Sequence, residues 1–208
     1  MNPTQPPGQA ATPATAQTGN VTLSCRPDRA GSKLVFPYTV TNRGRADVYV
    51  FDAMPRLDPE TRQPTIDPNT AVIWLGGDGF AHILKGIAPL PAIRTVTVRA
   101  IPLAAKLAPN AAIDRVLEVP LPLAEIGPYN ADLPLREYEL IEIQGVVLTI
   151  EFISSTVEEF AAEPADFAPD LYRARGKNTV AQTERVSCAF PSRQLQIMKR
   201  GDDFPRPD

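Results

Sequence analysis

With 208 residues, 43% of them hydrophobic, the chain is long enough for one generous domain or two small ones and can build a real core, which excludes global disorder. Its 21 basic and 24 acidic residues are mixed along the chain and leave a formal net charge of -3, so no basic face points to nucleic acid or an anionic membrane. Proline, at 23 residues, stands at about twice its usual frequency and is excluded from helix interiors and central strand positions, which predicts many short strands and many loops.

Residues 1–19, MNPTQPPGQAATPATAQTG, carry no charge and almost no large apolar side chain, so they cannot bury enough surface to offset their ordering entropy. They are expected to form a flexible tail, either a plain spacer or a tether to an anchor or partner. A single domain over 20–200 is expected to follow, then a short C-terminal tail over 201–208. The first 19 residues lack the basic start and apolar stretch of a secretory signal. The expected location is therefore cytoplasmic, or periplasmic or extracellular if a signal has been removed. No apolar run approaches the roughly 20 residues of a membrane-spanning helix, so no transmembrane segment is expected.

From Asn20 onward, strand patterns recur with turn signals between them. They cover Val21 to Cys25, Lys33 to Thr41, Asp47 to Met54, Ala71 to Leu75, Phe80 to Ile87 and Ile93 to Ile101. The clearest is KLVFPYTVT, where Leu34, Phe36, Tyr38 and Val40 point to one side while Val35, Thr39 and Thr41 point to the other, the period of a half-buried sheet. A second group covers Ile113 to Leu121, Tyr138 to Gln144, Val146 to Ile153, Arg185 to Phe190 and Gln194 to Lys199. Gly145 marks a bulge or bend within one long strand pair, and the alternation of Val146, Leu148, Ile150 and Phe152 predicts a central strand. Helix is scarce: Ser155 to Glu158 matches a capping box, with Pro164 stopping the helix after about two turns. Asp166 to Lys177 reads as a loop. The spacing suits an all-β antiparallel sandwich with long proline-rich loops and one short helix.

Few residues offer chemistry. His82 is the only histidine, which removes multi-histidine metal sites and leaves a single imidazole, flanked by apolar residues in FAHILKGI. No serine lies in a G-x-S-x-G elbow. Gly76, Gly77, Asp78 and Gly79 read as a tight hairpin turn, since one carboxylate is far from the six to eight oxygens calcium takes, and no P-loop Lys follows. Zinc needs four ligands, which two cysteines and one distant histidine do not supply. No metal or other cofactor is expected. Cys25 and Cys188 lie in the first and next-to-last strand groups; they would be bridged in an oxidising compartment and would stay buried thiols in a reducing one.

The candidate contact surfaces are loops. Met54 to Thr70 is proline-rich and, at 17 residues, far longer than an ordinary connection of about four to six. Its Arg56, Asp58, Glu60, Arg62 and Asp67 serve turn chemistry, a recognition surface or a hard cation. Val119 to Pro134 can run as an extended strip, with Leu121 and Leu123 on one side, that covers a sheet edge or meets a partner.

The unit Tyr38 to Gly44 followed by Val48, Tyr49 and Val50 resembles the strand, Asn-x-Gly turn, strand unit of bacterial immunoglobulin-like domains. Intracellular proteinase inhibitors of the BsuPI type are similar, with a Trp-containing strand matched by Val72, Ile73 and Trp74, then a turn and a Phe matched by Gly79 and Phe80. The resemblance covers residues 34–101 and implies an immunoglobulin-like β-sandwich with a binding role; no reactive-site loop carries over. The leading expectation is a non-enzymatic module that binds another protein or assembles into a larger structure. The alternatives are a protease inhibitor presenting Asp58 to Pro68 and an enzyme using His82 as base beside Asp78.

Overall fold

The computed structural model describes residues 13–58, 60–90, 96, 99–129, 138–176, 179–201, 204 and 206. Its strands in chain order are β1 (Ala14–Thr18), β2 (Val21–Cys25), β3 (Asp28–Ala30), β4 (Lys33–Asn42), β5 (Val48–Ala53), β6 (Pro55–Leu57), β7 (Pro64–Ile66), β8 (Val72–Leu75), β9 (Phe80–Lys85), β10 (Leu103–Leu107), β11 (Ala112–Pro120), β12 (Leu123–Ala124), β13 (Glu139–Ser154), β14 (Ala161–Ala165), β15 (Ala168–Arg175) and β16 (Glu184–Lys199). The chain is all-β and predominantly antiparallel.

A five-stranded sheet runs β1-β2-β4-β11, with β3 also on β4. The alternation in β4 is realised as read: Leu34, Phe36, Tyr38 and Val40 are all buried, while their neighbours in the strand are not. β2 and β3 lie on the same side of β4 and keep one register, from Cys25↔Tyr38 to Asp28↔Val35. They are separate strands because Pro27 and Pro37 face that gap, and neither has an N–H for the ladder. Arg26 N–H still donates to Pro37 O at 3.2 Å.

The second sheet has nine strands, ordered β12-β16-β13-β5-β10-β15-β14, with β8 on β9 and β9 parallel to β13. β13 is its centre. It pairs with β16 on one side, and with β9 and then β5 on the other. The two segments expected on either side of Gly145 form this one strand, and the register shifts at Gly145, which has φ +157°. β12 pairs in parallel with β16, and Ile126 then bridges Ile73 of β8, so the path β8-β9-β13-β16-β12 returns to its start. The return is narrow, two residue pairs on β16 and one bridge on β8, and it covers only that part of the two edges. The two large sheets share one core, in which Leu23, Phe36 and Leu117 meet Ile83, Leu148 and Phe152. All six residues of β5 are buried because its two faces enter different clusters: Val48 and Val50 join the common core, and Tyr49 and Phe51 pack with Ile87 and Ile153.

Several expectations need correction. No helix occurs among the described residues. Ser154, the last residue of β13, and Thr156 of the expected capping box instead stabilise a turn, with Ser154 Oγ accepting the Thr156 N–H and Thr156 Oγ1 lying 2.8 Å from it. Such local side-chain bonds compete with helix formation. Most of the expected loop 166–177 is β15, paired with β10 and β14. Residues 14–18, expected within the tail, are β1, hydrogen-bonded along their whole length to β2. Two-residue loops with glycine first join β1 to β2 and β3 to β4, and Gly19 (φ +53°) and Gly31 (φ +60°) supply the positive φ that such turns require. The expected strand 93–101 lies largely outside the described residues.

Candidate functional site

Register brings Cys25, Tyr38 and Arg115 into one row across β2, β4 and β11. All three belong to the strand positions that alternate toward the other sheet, where Asp52 is next to last in β5 and Lys85 closes β9. Arg115 Nε donates to Asp52 Oδ2 at 2.9 Å; the carboxylate is buried and the guanidinium half-exposed. Asp52 Oδ1 has no hydrogen-bond partner among the described residues. Lys85, only 3% exposed, donates from Nζ to Pro68 O and Thr70 O, both at 2.9 Å. The end of the long loop is thereby stitched over the cluster, and Asn69 Oδ1 accepts the Glu118 N–H of β11 at 2.8 Å.

The electrostatics follow from burial. Desolvation pushes the Lys85 ammonium down to about 8 from 10.5, against the favourable fields of Asp52 and Asp67. Desolvation also raises the Cys25 thiol from 9.0 to about 12, with Cys188 adding to the rise, and it raises the Tyr38 hydroxyl, with Asp52 adding and Arg115 opposing. Burial raises the Cys188 thiol as well. These shifts hold the thiols and the phenol protonated, the opposite of activating a nucleophile.

A pH dependence results. Between about pH 8 and 10.5 the unfolded chain carries more protons at the Lys85 position than the folded one, so this group makes stability rise with pH across that window. Cys25 acts oppositely: its contribution is complete below 9.0 and is lost as pH rises toward about 12. Tyr38 adds a further loss above 10.0. Urea unfolding is expected to show a shallow maximum at about pH 9, where the Lys85 rise meets the Cys25 loss, and then a decline, each group contributing at most about 1.4 kcal/mol per pH unit. Lys85→Met should remove the rise, and Cys25→Ala should make the decline shallower; an unchanged profile in both variants would contradict this assignment.

Beside the row lies an open cleft of about 510 Å³, lined among others by Arg26, Tyr38, Pro68, Asp114, Arg115 and Val116. β11 is the edge strand of its sheet. Since the Glu118 N–H turns away from β4 to Asn69, the period of two turns the backbone groups of Asp114 and Val116 the same way. The Val116 side chain is 49% exposed, and the Asp114 carboxylate accepts the Thr39 hydroxyl at 2.6 Å.

The long loop is partly ordered as the hairpin β6–β7. Arg56 pairs with Asp67 across it at 3.3 Å. Asp58 Oδ1 accepts the Glu60 and Thr61 N–H groups and the Thr61 hydroxyl, which lowers the Asp58 carboxyl below its ordinary range. Arg62 has φ +57°. These residues shape a hairpin tip and do not converge on a cation site; among the described residues no group of three metal-ligating side chains occurs. Leu121 packs partly buried against the core, whereas Leu123 is fully buried in it. Leu123 is therefore a core residue and is not available as a contact, because the strip around it closes the sheet between β16 and β8. Cys25 and Cys188 are buried free thiols in this structure, with no disulfide between them; Cys188 Sγ lies 3.6 Å from Leu23 O.

His82 Nε2 lies 3.1 Å from Asp78 Oδ1, and its ring stacks on Trp74 with centroids 5.1 Å apart. Asp78 also accepts the Phe80 N–H; this bond and the His82 ring outweigh the opposing effect of burial and lower the carboxyl. The pair clamps the Gly76–Gly79 hairpin. No family model, curated protein or solved structure matches the chain. Among the described residues no helix is long and apolar enough to cross a membrane.

Sequence reasoning missed Asp52, Lys85 and Arg115, as well as the buried carboxylates Glu125 and Glu151. Only one signal was present. Asp52, Lys85 and Arg115 each interrupt or end an otherwise apolar strand pattern, and a charge on the core-facing side needs a partner.

Proposed function

We propose that the chain is a non-enzymatic β-sandwich, immunoglobulin-like in plan, that binds or assembles with another protein along β11 and the loop stitched beside it. The observation that carries this reading is the open edge of β11, where exposed Val116 and the outward backbone of Asp114 and Val116 border the cleft. An unpaired strand edge is a template for an incoming strand. Self-pairing is opposed by charge. Antiparallel registers centred on Asp114, Arg115 or Val116 set Asp114 against Asp114, Arg115 against Arg115, or Asp114 against Glu118, and like charges directly opposite are destabilising. The edge therefore favours a different chain over a second copy. The anchored guanidinium of Arg115 supplies a fixed donor at the cleft.

Val116→Pro tests the reading with little cost to the fold, because the N–H it removes faces away from β4. A partner retained by the wild-type chain in native pull-down and mass photometry should be lost by at least about tenfold in the variant. A lone wild-type monomer, or equal retention by the variant, would sink the proposal. The alternative of a protease inhibitor presenting Asp58 to Pro68 draws support from the Asp58 carboxylate, which accepts the Thr61 N–H at the tip of the β6–β7 hairpin. Incubation with a panel of serine proteases decides it: simple cleavage at the tip, or no inhibition, ends that idea.

A further inference from the structure

The C-terminal segment, expected as a tail, carries two anchored side chains. Phe204, 5% exposed, packs with Val72, Trp74, Leu84 and Ala88 on the outer side of β8 and β9. Arg206 grips Glu125, which is completely buried: Nε reaches Oε1 at 2.8 Å and Nη2 reaches Oε2 at 2.6 Å. Nη2 also donates to Arg200 O at 2.8 Å, and the guanidinium carbon stands 5.6 Å from the Phe204 ring centre.

The receiving side is built without those two residues. Each Glu125 oxygen already accepts a backbone N–H, Oε1 from Leu75 at 2.9 Å and Oε2 from Arg200 at 2.7 Å, so the carboxylate is aimed before the guanidinium arrives. The apolar floor is held by the β8–β9 and β9–β13 pairings. A fork-on-fork Arg–carboxylate contact beside an aromatic socket is how short segments are recognised with geometric specificity.

We infer that the Glu125–Trp74 groove is a recognition site for a segment bearing an aromatic residue two positions before an arginine, filled in this chain by its own Phe204 and Arg206. The occupant is a latch held in cis. A free copy of the same segment competes for the groove once the latch is released. This inference stands apart from the β11 reading, since it uses the other sheet and none of the same residues.

The full-length double variant Phe204→Ser/Arg206→Ser removes both anchors. A fluorescein-labelled peptide with the sequence of residues 200–208, followed by anisotropy, should bind this variant at least about tenfold more tightly than it binds the wild type, whose groove is occupied. The same peptide with lysine in place of Arg206 alone should lose at least about tenfold, because a lysine cannot make the side-on fork. Trp74, the only tryptophan of the chain, lies in the socket, so its emission should change in the variant and return with peptide. Equal affinity for both proteins, no binding to a folded variant, or failure of the variant to fold would each overturn the inference, the last by making the segment an integral part of the core.

Discussion

Arg115→Ala is expected to lower the stability of the fold by about 3 kcal/mol, at the low end of the roughly 3–5 kcal/mol lost when one partner of a buried ion pair is removed. Asp52 Oδ2 would lose its Arg115 donor while Oδ1 has none among the described residues, leaving a buried carboxylate with only the field of Lys85 to offset its desolvation. That remaining field is the reason for the lower figure. The double variant Asp52→Leu/Arg115→Met should recover most of the loss, because an apolar pair of similar size carries no desolvation cost. Urea denaturation of both variants checks this. A loss below about 1 kcal/mol for Arg115→Ala would place the pair in the class of solvated surface bridges.

Gly145→Ala should be as costly, about 3 kcal/mol, for a steric reason. A methyl group there would run into the Phe190 carbonyl oxygen and come within 2.8 Å of the Pro191 Cα, both main-chain atoms of the paired strand, at φ +157°. Backbone on both sides of the bulge cannot yield without breaking the β13–β16 ladder. For a chain of this size the corresponding fall in Tm is about 6–12 °C. Gly77→Ala is the matched control: nothing lies within 4 Å of a Cβ there, so its effect should stay within about 0.5 kcal/mol. Equal behaviour of the two variants in thermal unfolding would mean that the bulge adjusts freely.

Both predictions concern residues whose importance differed in legibility. Gly145 was readable as a bulge because a glycine interrupts a strict alternation within one apolar run. Arg115 and Asp52 were not, because they are 63 positions apart in the chain and only the stacking of two sheets brings them within 2.9 Å. The same holds for Glu125 and Arg206, 81 positions apart. β1 escaped reading because Ala14 and Ala16 carry little apolar surface; they earn their place by packing small side chains against the common core. The Ser155 capping pattern misled because the neighbouring Ser154 hydroxyl binds Thr156 in a turn, and the short span before Pro164 offered no helical nucleus strong enough to resist strand pairing.

The alternation in β4 and in the second half of β13, the glycine turns and the abundance of proline are local quantities, and by themselves they determined that this chain is all-β and which faces of its clearest strands are buried. Pairing partners, the return of one sheet onto itself through Ile126 and the burial of Asp52, Lys85, Glu125 and Glu151 depend on contacts between distant segments. Only the tertiary structure decided them, because a charged side chain has the same local sequence context whether water or an opposite charge awaits it.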